Sequence, residues 1–418
     1  MLKGEIRVPG DKSISHRSIM LGAIAEGKTE IKNFLVSEDT LATIECFRKM
    51  GVHIDMKEDN VLIEGVGKSG LKSPEGILYC GNSGTTMRLI SGILIGQDFP
   101  SILVGDSSLN GRPMKRIIFP LRQMNGNIKG VEDEYPPIEI YPSEKLNGIY
   151  YKMPIDSAQV KSAILLASIY AQGETCIEEK GFSRDHTERM LKYFGAYICK
   201  IDKLIYMKDN AKLKGKNLFV PGDISSAAFF IVGALTLKGS DILIRDVGIN
   251  KSRIGILEAL KEMGGDIEIQ NKRIANYEPI GDIRVRYSKL KGIDINGSRI
   301  STLIDEIPIL AVAAALAEGT TTIRDAEELK YKESNRLNAM AVELNKMGAK
   351  VEELEDGLVI EGVSSLKPAT LNSYNDHRIA MALNIAALNA DGKSHIQQSE
   401  CVTVSFPSFF DKLYKLLI

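Results

Sequence analysis

Several segments of the sequence place lysine or arginine at the expected start of a helix. The first is VPGDKSISHRS (8–18), which carries Lys12 and Arg17 just before the apolar run IMLGAIAEG. Ser13 or Ser15 is the candidate N-cap, and acidic residues would be favoured near the positive end of the helix. Helix starts that combine backbone donors, hydroxyls and cations bind anions. We therefore expect a ligand, not the chain, to supply the counter-charge.

The same combination of residues recurs along the chain. The segments are CGNSGTTMRLISG (80–92), NGRPMKRIIFPL (110–121), IDSAQVKSAILLA (155–167), FSRDHTERML (182–191), LKYKESNRLNAMA (329–341) and YNDHRIAMALNIA (374–386). Any single segment of this kind is typical of a solvated helix end. Their recurrence predicts that several helix N-termini bind one shared anionic ligand.

These segments belong to an internal repeat. An Ala-rich helix, a glycine and a strand recur, as in AIAEGKTEI (23–31) and LAEGTTTI (316–323). A helix that ends in Met-Gly or a similar pair follows most copies, as in FRKMGVHI (47–54) and LNKMGAKV (344–351). Six copies about 70 residues apart account for nearly the whole chain. The repeat predicts α/β packing in which neighbouring copies share a core.

Composition narrows the class of protein. The 418 residues are 44% hydrophobic and 26% charged, which predicts one to three ordinary globular domains. The net charge of -1 argues against a general nucleic-acid binder. We expect no membrane span and no signal peptide. The scattered cysteines predict reduced thiols in a cytosolic protein, and the histidines do not have zinc-ligand spacing.

Eight motifs, in chain order, resemble those of the 5-enolpyruvylshikimate-3-phosphate (EPSP) synthase family. They are GDKSISHRS, GNSGTTMR, NGRPM, DSAQVKSA, SRDHTERML, DEIP (305–308), KYKESNRL and YNDHRIAMA. The motifs DKSISHR and SRDHTE are similar to those of the second class of bacterial enzymes in this family. The resemblance implies transfer of the enolpyruvyl group of phosphoenolpyruvate to the 5-hydroxyl of shikimate 3-phosphate, with release of phosphate. This reaction belongs to aromatic amino acid biosynthesis.

The resemblance also implies the architecture. It predicts an α/β protein of two domains, each with three βαβαββ units around parallel helices, an arrangement known as an inside-out α/β barrel. The lower domain would span 12–220, and the upper domain would combine 1–11 with 221–418. The active site would lie in the interdomain cleft. The implied protein is a cytoplasmic monomer and a glyphosate target, with no metal or organic cofactor and no nucleic-acid or membrane partner.

The resemblance implies two overlapping sets of binding residues and a catalytic trio. The shikimate 3-phosphate set is Lys12, Ser13, Arg17, Ser157, Ala158, Gln159, Ser183, Arg184, Asp305 and Lys332. The phosphoenolpyruvate set is Lys12, Gly84, Arg112, Gln159, Glu333, Arg336 and Arg378. The cations suit two substrates that carry phosphates and carboxylates. Asp305 would take the proton of the 5-hydroxyl, while Glu333 and Lys12 would deliver one to the methylene carbon.

Some residues depart from the family pattern or have a second interpretation. Val404 stands where enterobacterial enzymes carry a lysine, and Ala158 stands where they carry a serine. On the residues alone, Asp305 is typical of a carboxylate at a helix start, and Glu333 of a solvated helix residue. His377 is either a ligand-binding residue or a hydrogen-bonded structural histidine.

Two other functions remain as alternatives. UDP-N-acetylglucosamine enolpyruvyl transferase shares the implied fold and chemistry, but usually carries a cysteine in the loop that here reads VGDSSLNGRPMKR (104–116). A non-catalytic repeat protein that binds anions or RNA ends would tolerate loss of Asp305, Glu333 and Lys12.

Overall fold

The computed structural model describes residues 1–209 and 211–418, which divide into two units. The 10–220 unit comprises residues 10–220 together with 275–278. The 221–418 unit comprises residues 1–9, 221–274 and 279–418. Each unit is thus built from more than one stretch of the chain.

The described elements follow the repeat pattern along the chain. The strands of the first half are β1 (Lys3–Arg7), β2 (Glu26–Lys32), β3 (His53–Lys57), β4 (Asn60–Val66), β5 (Leu78–Tyr79), β6 (Ser101–Val104), β7 (Asn127–Val131), β8 (Tyr135–Tyr141), β9 (Tyr150–Lys152), β10 (Thr175–Glu178), β11 (Ile198–Ile201), β12 (Leu204–Met207) and β13 (Asn217–Phe219). Its helices are α1 (Lys12–Ile24), α2 (Glu38–Lys49), α3 (Gly84–Leu94), α4 (Ser107–Asn110), α5 (Lys115–Gln123), α6 (Ala158–Ser168) and α7 (His186–Phe194).

The second half continues with the same kinds of element. Its strands are β14 (Asp241–Gly248), β15 (Asp266–Ala275), β16 (Glu278–Arg286), β17 (Asp294–Ile295), β18 (Thr320–Ile323), β19 (Lys350–Glu353), β20 (Leu358–Glu361), β21 (Thr370–Asn372) and β22 (His395–Gln397). Its α-helices are α8 (Ile224–Thr236), α9 (Gly255–Glu262), α10 (Ile300–Leu303), α11 (Ile307–Ala315), α12 (Arg336–Lys346), α13 (His377–Ala387) and α14 (Phe409–Leu416). Its 3-10 helices are Gly297–Arg299, Ile304–Glu306, Glu327–Tyr331 and Ser399–Val404.

One sheet corresponds to each repeat, and β13 from the end of the third repeat joins the sheet of the first. The sheets of the 10–220 unit have the strand orders β13-β2-β4-β3, β5-β6-β8-β7 and β9-β10-β12-β11. Those of the 221–418 unit are β1-β14-β16-β15, β17-β18-β20-β19 and β21-β22. The first two strands of every sheet are parallel. In the five four-stranded sheets of the described chain, the third strand pairs with the second in antiparallel fashion. The last repeat differs from the expected βαβαββ pattern, since it ends in α14 and has only two strands.

Besides the short 275–278 segment, the chain passes from one unit to the other within two VPGD segments. Strand β1 pairs with β14 of the 221–418 unit but is followed by α1 of the 10–220 unit. Strand β13 pairs with β2 but is followed by α8 of the 221–418 unit. A Cβ atom on Gly10 would lie 2.0 Å from the carbonyl oxygen of Asn33, so the first of these segments requires glycine.

Apolar helices form the core of each unit. In α1, α3 and α6 nearly every residue beyond the first turn is buried, as it is in α8, α11 and α13. Helices that are apolar on all sides are typical of positions inside a protein, with the sheets outside. The approach of α3 to α6 requires Gly92, because its Cβ atom would lie 2.2 Å from the Ala163 carbonyl oxygen. The predicted α/β fold with central helices is confirmed; the sheets are mixed, and the described strands close no barrel.

The outer helices bury only one face. Helices α5, α7 and α9 alternate buried and exposed residues with helical spacing, as expected for helices that cover a core from outside. Within residues 1–209 and 211–418, the structure contains no helix with the length and apolar character that a membrane crossing requires. The five cysteines are free thiols.

Candidate functional site

The first helix of the 10–220 unit begins at Lys12 and is capped by Asp11. The Oδ1 atom of Asp11 accepts a hydrogen bond from the Ile14 backbone N–H at 2.9 Å. The expectation of a serine cap is wrong, because Ser13 and Ser15 lie inside the helix. An aspartate cap also places a negative charge at the positive end of the helix dipole.

Lys12 has a carboxylate partner within the chain. Its ammonium group forms an ion pair with Asp39, which lies in the first turn of α2 and is nearly buried. About a quarter of the Lys12 side chain (25%) stays exposed. The expectation that a ligand rather than the chain supplies the counter-charge is therefore wrong for Lys12, whose ammonium pairs with Asp39.

Arg17 is buried within the 10–220 unit and donates to uncharged oxygens. Its Nε donates to Thr187 Oγ1 at 2.6 Å, Nη1 to the Ser13 carbonyl at 2.9 Å and Nη2 to Ser162 Oγ at 2.8 Å. Burial lowers the pKa of Arg17 to about 10, although Asp11 acts in the opposite direction. The guanidinium is thus held in one orientation by α1, α6 and α7 and remains charged at neutral pH.

Gly84 and Gln159 are connected at the starts of α3 and α6. The Gln159 amide donates to Thr85 Oγ1 at 3.1 Å, and its carbonyl oxygen accepts from Arg88 Nη1 at 2.8 Å. A Cβ atom on Gly84 would lie 2.6 Å from the same Arg88 nitrogen. The absence of a side chain at residue 84 therefore leaves room for the Arg88–Gln159 hydrogen bond.

Ser157, Ala158 and Gln159 form the start of α6. Ser157 is the N-cap, and its hydroxyl accepts from the Val160 N–H at 3.4 Å. Ala158 is the first residue of the helix. The first backbone N–H groups of a helix have no partner within it, so this position suits an anion.

Arg112 is oriented by Asn82, which lies just before α3. Its Nη2 donates to Asn82 Oδ1 at 2.6 Å and to Ser108 Oγ at 3.1 Å. The Asn82 amide donates in turn to Asp106 at 2.8 Å. Two polar side chains therefore fix this arginine before any ligand binds.

Ser183 and Arg184 lie in the segment between β10 and α7. The Ser183 hydroxyl donates to Glu179 Oε1 at 2.6 Å, and Ser183 is buried. Arg184 is half-buried and lies two residues before the start of α7. The structure thus ties this segment to a carboxylate that the sequence motifs did not single out.

Arg336 forms the centre of the candidate site in the 221–418 unit. Its Nε donates to Asp376 at 2.8 Å and its Nη2 to Glu333 at 2.6 Å, while Nη1 lies 3.6 Å from Asp305 Oδ1. Burial alone would lower the pKa of Arg336, but Asp376 and Glu333 raise it above its usual value. Arg336 therefore holds both predicted catalytic carboxylates of this unit around one buried cation.

The Arg378 side chain contacts the same cluster through the main chain of Asp305. Its Nη1 donates to the Asp305 carbonyl oxygen at 3.0 Å. Asp376 caps α13 by accepting from the Arg378 backbone N–H at 2.9 Å. Asp305 lies in the 3-10 helix that leads into α11, as expected for a carboxylate at a helix start. His377 is the first residue of α13 and is buried, and both interpretations of it remain.

Lys332 and Glu333 lie between the 3-10 helix Glu327–Tyr331 and α12. The Lys332 ammonium pairs with Glu328 Oε1 at 3.0 Å, four residues earlier in the chain. The interpretation of Glu333 as a solvated helix residue is wrong, because it precedes α12 and is paired with Arg336.

Comparison with known proteins decides the family. A family model described as EPSP synthase (3-phosphoshikimate 1-carboxyvinyltransferase) matches residues 1–413. The chain belongs to the EPSP synthase family. The 3-phosphoshikimate 1-carboxyvinyltransferase of Thermoanaerobacter sp. (strain X514) is 54% identical over 409 residues, which cover 98% of this chain and 96% of the relative.

Further members of the EPSP synthase family agree in length and fold. The 3-phosphoshikimate 1-carboxyvinyltransferase of Citrifermentans bemidjiense is 51% identical, covering 99% of this chain and 96% of its own. The EPSP synthase structure from Acinetobacter baumannii, at 2.37 Å, has a TM-score of 0.91 and 48% identity, and it covers 99% of this chain and 96% of its own. These matches confirm the resemblance seen in the motifs.

The sequence reasoning missed several residues that pair with predicted site residues of this EPSP synthase family member. Asp39, Asp376 and Glu179 each pair with a predicted site residue. Asp376 carried a usable signal, because an aspartate directly before a helix is typical of an N-cap. The contact of Asp39 with Lys12 had no local signal, since it depends on how α2 packs against α1.

A chain of buried hydroxyl groups joins the first three helices of the 10–220 unit. His16 Nδ1 lies 2.8 Å from Thr43 Oγ1, which is 2.7 Å from Thr86 Oγ1, and Thr86 Oγ1 donates to Ser83 Oγ at 2.8 Å. Burial is the main cause that lowers the pKa of His16, from 6.5 to about 3. His16 is therefore neutral in the folded protein.

This buried histidine predicts a loss of stability in acid. The unfolded chain takes up the proton near pH 6.5 and the folded one only near pH 3, so stability is complete above pH 6.5 and falls as the pH drops below it. The slope is at most about 1.4 kcal/mol per pH unit, or roughly 3 kcal/mol by pH 4. Urea unfolding of wild type and His16→Gln at pH 7, 5 and 4 measures this contribution, which the variant lacks. The exposed His53→Gln is the control, and equal slopes for His16→Gln and wild type would contradict the prediction.

Proposed function

We propose that this chain is a 3-phosphoshikimate 1-carboxyvinyltransferase. It transfers the enolpyruvyl group of phosphoenolpyruvate to the 5-hydroxyl of shikimate 3-phosphate and releases phosphate, a step in the shikimate pathway. The observation that carries the proposal is the family match over residues 1–413. The relatives at 54% and 51% identity bear the same activity in their names.

The reaction exchanges one C–O bond for another at C2 of phosphoenolpyruvate. The 5-oxygen of the acceptor forms a bond to C2, and the bond from C2 to the phosphate oxygen breaks. A proton leaves the 5-hydroxyl, and a proton joins the methylene carbon and leaves it again when phosphate departs. The chemistry therefore needs at least one base and one acid close to the reacting carbon.

We assign these proton transfers to three residues. Asp305 is the base for the 5-hydroxyl, and Glu333 with Lys12 delivers the proton to the methylene carbon. The arrangement around Arg336 supports this assignment, because one buried guanidinium lies 2.6 Å from Glu333 and 3.6 Å from Asp305. A fixed cation beside both carboxylates also offers a partner for an anionic substrate group.

We assign the remaining predicted residues to substrate binding. Shikimate 3-phosphate is bound by Lys12, Ser13, Arg17, Ser157, Ala158, Gln159, Ser183, Arg184, Asp305 and Lys332. Phosphoenolpyruvate is bound by Lys12, Gly84, Arg112, Gln159, Glu333, Arg336 and Arg378. Preset orientation of Arg17, Arg112 and Arg336 by hydrogen bonds supports the assignment, since it limits the entropy lost on binding.

The test of the proposed function is phosphate release from phosphoenolpyruvate. We expect release only when shikimate 3-phosphate is also present, and loss of release in Asp305→Asn. Release triggered by UDP-N-acetylglucosamine instead would assign the chain to the other enolpyruvyl transferase. Binding of phosphoenolpyruvate without any release would favour a non-catalytic binding protein.

We further propose that the protein acts as a monomer in the cytoplasm on these two small molecules. The net charge of -1 supports this proposal, because general binders of nucleic acid or anionic lipid usually carry a basic excess. Size-exclusion chromatography with light scattering tests the oligomeric state, and an elution at twice the 45.9 kDa chain mass would contradict it.

Substitution of Gly84 by alanine is expected to weaken phosphoenolpyruvate binding. The new methyl would lie 2.6 Å from Arg88 Nη1, so the Arg88 guanidinium must shift relative to Gln159, and the methyl narrows the space at the start of α3. We expect KM for phosphoenolpyruvate and the inhibition constant of its mimic glyphosate to rise by roughly tenfold or more. Steady-state kinetics of Gly84→Ala measure both constants.

The control for this substitution is Gly111→Ala. A Cβ atom at Gly111 would lie 3.6 Å from its nearest neighbour, the Ser108 carbonyl oxygen, which is an ordinary contact. We expect this variant to keep both constants. Unchanged constants in Gly84→Ala would contradict the prediction.

A further inference from the structure

A buried cluster of charges connects α6, β11 and α7 in the 10–220 unit. The Lys161 side chain on α6 is inaccessible to solvent, and its ammonium lies 2.8 Å from Glu179 Oε1 and 2.6 Å from Glu188 Oε1. Lys200 on β11 pairs with the other carboxylate oxygen of Glu179. Two lysines therefore balance two carboxylates beneath the segment that leads into α7.

Lys161 and Glu179 both keep their charges in this environment. Burial by itself would lower the pKa of Lys161, but Glu188 and Glu179 together raise it above its usual value. Burial would raise the pKa of Glu179, but Lys161 is the largest of the partners that lower it below its usual range. The contacts are therefore ion pairs at neutral pH, and they hold the carboxylate of Glu179 in one place.

Glu179 also accepts a hydrogen bond from the predicted substrate residue Ser183. The Ser183 hydroxyl donates to Glu179 Oε1 at 2.6 Å. An ionised carboxylate can only accept, so the hydroxyl hydrogen of Ser183 points at Glu179. This hydrogen is then committed to the protein and not to a substrate phosphate. Arg184 is the next residue, so fixing the position of Ser183 also fixes the position of the Arg184 backbone.

We propose that Glu179 is a positioning residue for the substrate site, which fixes Arg184 through the hydrogen bond to Ser183. Lys161 and Lys200 hold Glu179 in place. This inference rests on the proposed function, because it takes the 183–184 segment as part of the site for shikimate 3-phosphate. The Ser183 hydroxyl acts as the tether, so Ser183 contributes to the substrate site through its main chain and Arg184 contributes through its guanidinium.

The same cluster borders other residues assigned to shikimate 3-phosphate. Lys161 lies one helical turn after Ser157, and Glu188 follows Thr187, which accepts the hydrogen bond from Arg17 Nε at 2.6 Å. The residues assigned to phosphoenolpyruvate alone are not among the partners of this cluster in the described chain. Loosening it should therefore affect one substrate more than the other.

The experiment compares Ser183→Ala, Glu179→Gln and the double variant by steady-state kinetics. Each single variant is expected to raise KM for shikimate 3-phosphate about tenfold, with kcat and KM for phosphoenolpyruvate changed by less than about twofold. The double variant should also show about a tenfold rise, because both changes break the same link. Independent roles would multiply to about a hundredfold.

The control is Glu178→Gln, the neighbouring residue, whose carboxylate pairs with the exposed Lys152 at 2.9 Å. It should keep wild-type constants. If Glu179→Gln does not fold, Ser183→Ala alone tests the positioning role, because the serine substitution removes no buried charge.

Three results would overturn the positioning role in an active wild-type enzyme. They are an unchanged KM for shikimate 3-phosphate in Ser183→Ala, a multiplicative double variant, and a lower melting temperature with all kinetic constants intact. A wild-type chain that releases no phosphate would overturn the proposed function itself, and this inference with it.

Discussion

Replacing Arg336 with methionine is expected to abolish phosphate release and to lower the free energy of unfolding by about 3–5 kcal/mol. Arg336 is 2% exposed and donates to Asp376 at 2.8 Å and to Glu333 at 2.6 Å. Burial raises the pKa of Asp376, but Arg336 outweighs it and keeps this carboxyl ionised. Methionine fills a similar space but leaves that buried charge without its main counter-ion.

The measurement is urea unfolding followed by circular dichroism, together with the phosphate-release assay. The matched control is Arg324→Met, because Arg324 is half exposed and lies 3.4 Å from Asp356. A surface pair of this kind contributes about 0–1 kcal/mol. A loss of less than about 1 kcal/mol in Arg336→Met would contradict the role of Arg336 as the counter-ion of the cluster.

Arg336→Lys separates folding from substrate binding. Lysine restores the positive charge but not the planar fork that can bind two acceptors side by side. We expect this variant to fold and to lose about a hundredfold in kcat/KM for phosphoenolpyruvate, since two charge-assisted hydrogen bonds are weakened. Full activity in Arg336→Lys would show that only charge, and not geometry, is required.

The repeat architecture could be predicted because its signals are local. Each copy marks the end of its helix with glycine and begins the next strand within a few residues, as in LKEMGGDI (260–267). The shortened last copy was not foreseen, because the same helix and strand signals precede it. Nor does periodicity reveal that β13 pairs with β2 nearly 190 residues away. The grouping of the N-terminal segment with the second half of the chain was implied only by the family resemblance.

The cations of the candidate site could be predicted because their sequence signals are also local. The residues that pair with these cations could not be predicted. Lysine or arginine at a helix start is unfavourable because of the helix dipole, and this pattern can be recognised within a segment of about a dozen residues. The partner of Lys12 is Asp39 and that of Arg336 is Asp376, and both contacts arise from tertiary packing. Reasoning from short sequence segments therefore overestimated how many of these cations depend on a ligand for their counter-charge.

Replacing Asp305 with asparagine is expected to lower kcat by about 10²–10⁴-fold in a protein that stays folded. Asparagine has the same shape but cannot take the proton of the 5-hydroxyl. The Asp305 side chain is 16% exposed, and its Oδ1 lies 3.6 Å from Arg336 Nη1, beyond hydrogen-bond distance. The hydrogen bond from Arg378 reaches the backbone carbonyl at 3.0 Å, so the substitution preserves it. Because the substitution keeps the shape of the side chain and this main-chain hydrogen bond, we expect the protein to stay folded.

Kinetics and thermal unfolding of the same preparation distinguish a role of Asp305 as general base from a role in substrate binding or stability. Asp391→Asn, at an exposed aspartate beyond α13, controls for the loss of one negative charge in this unit and should keep wild-type kcat. A fall in kcat with both KM values and the melting temperature retained is the result expected of a general base. A rise confined to KM for shikimate 3-phosphate would leave Asp305 as a binding residue only, and the 5-hydroxyl proton would then have to pass to Glu333 or to solvent.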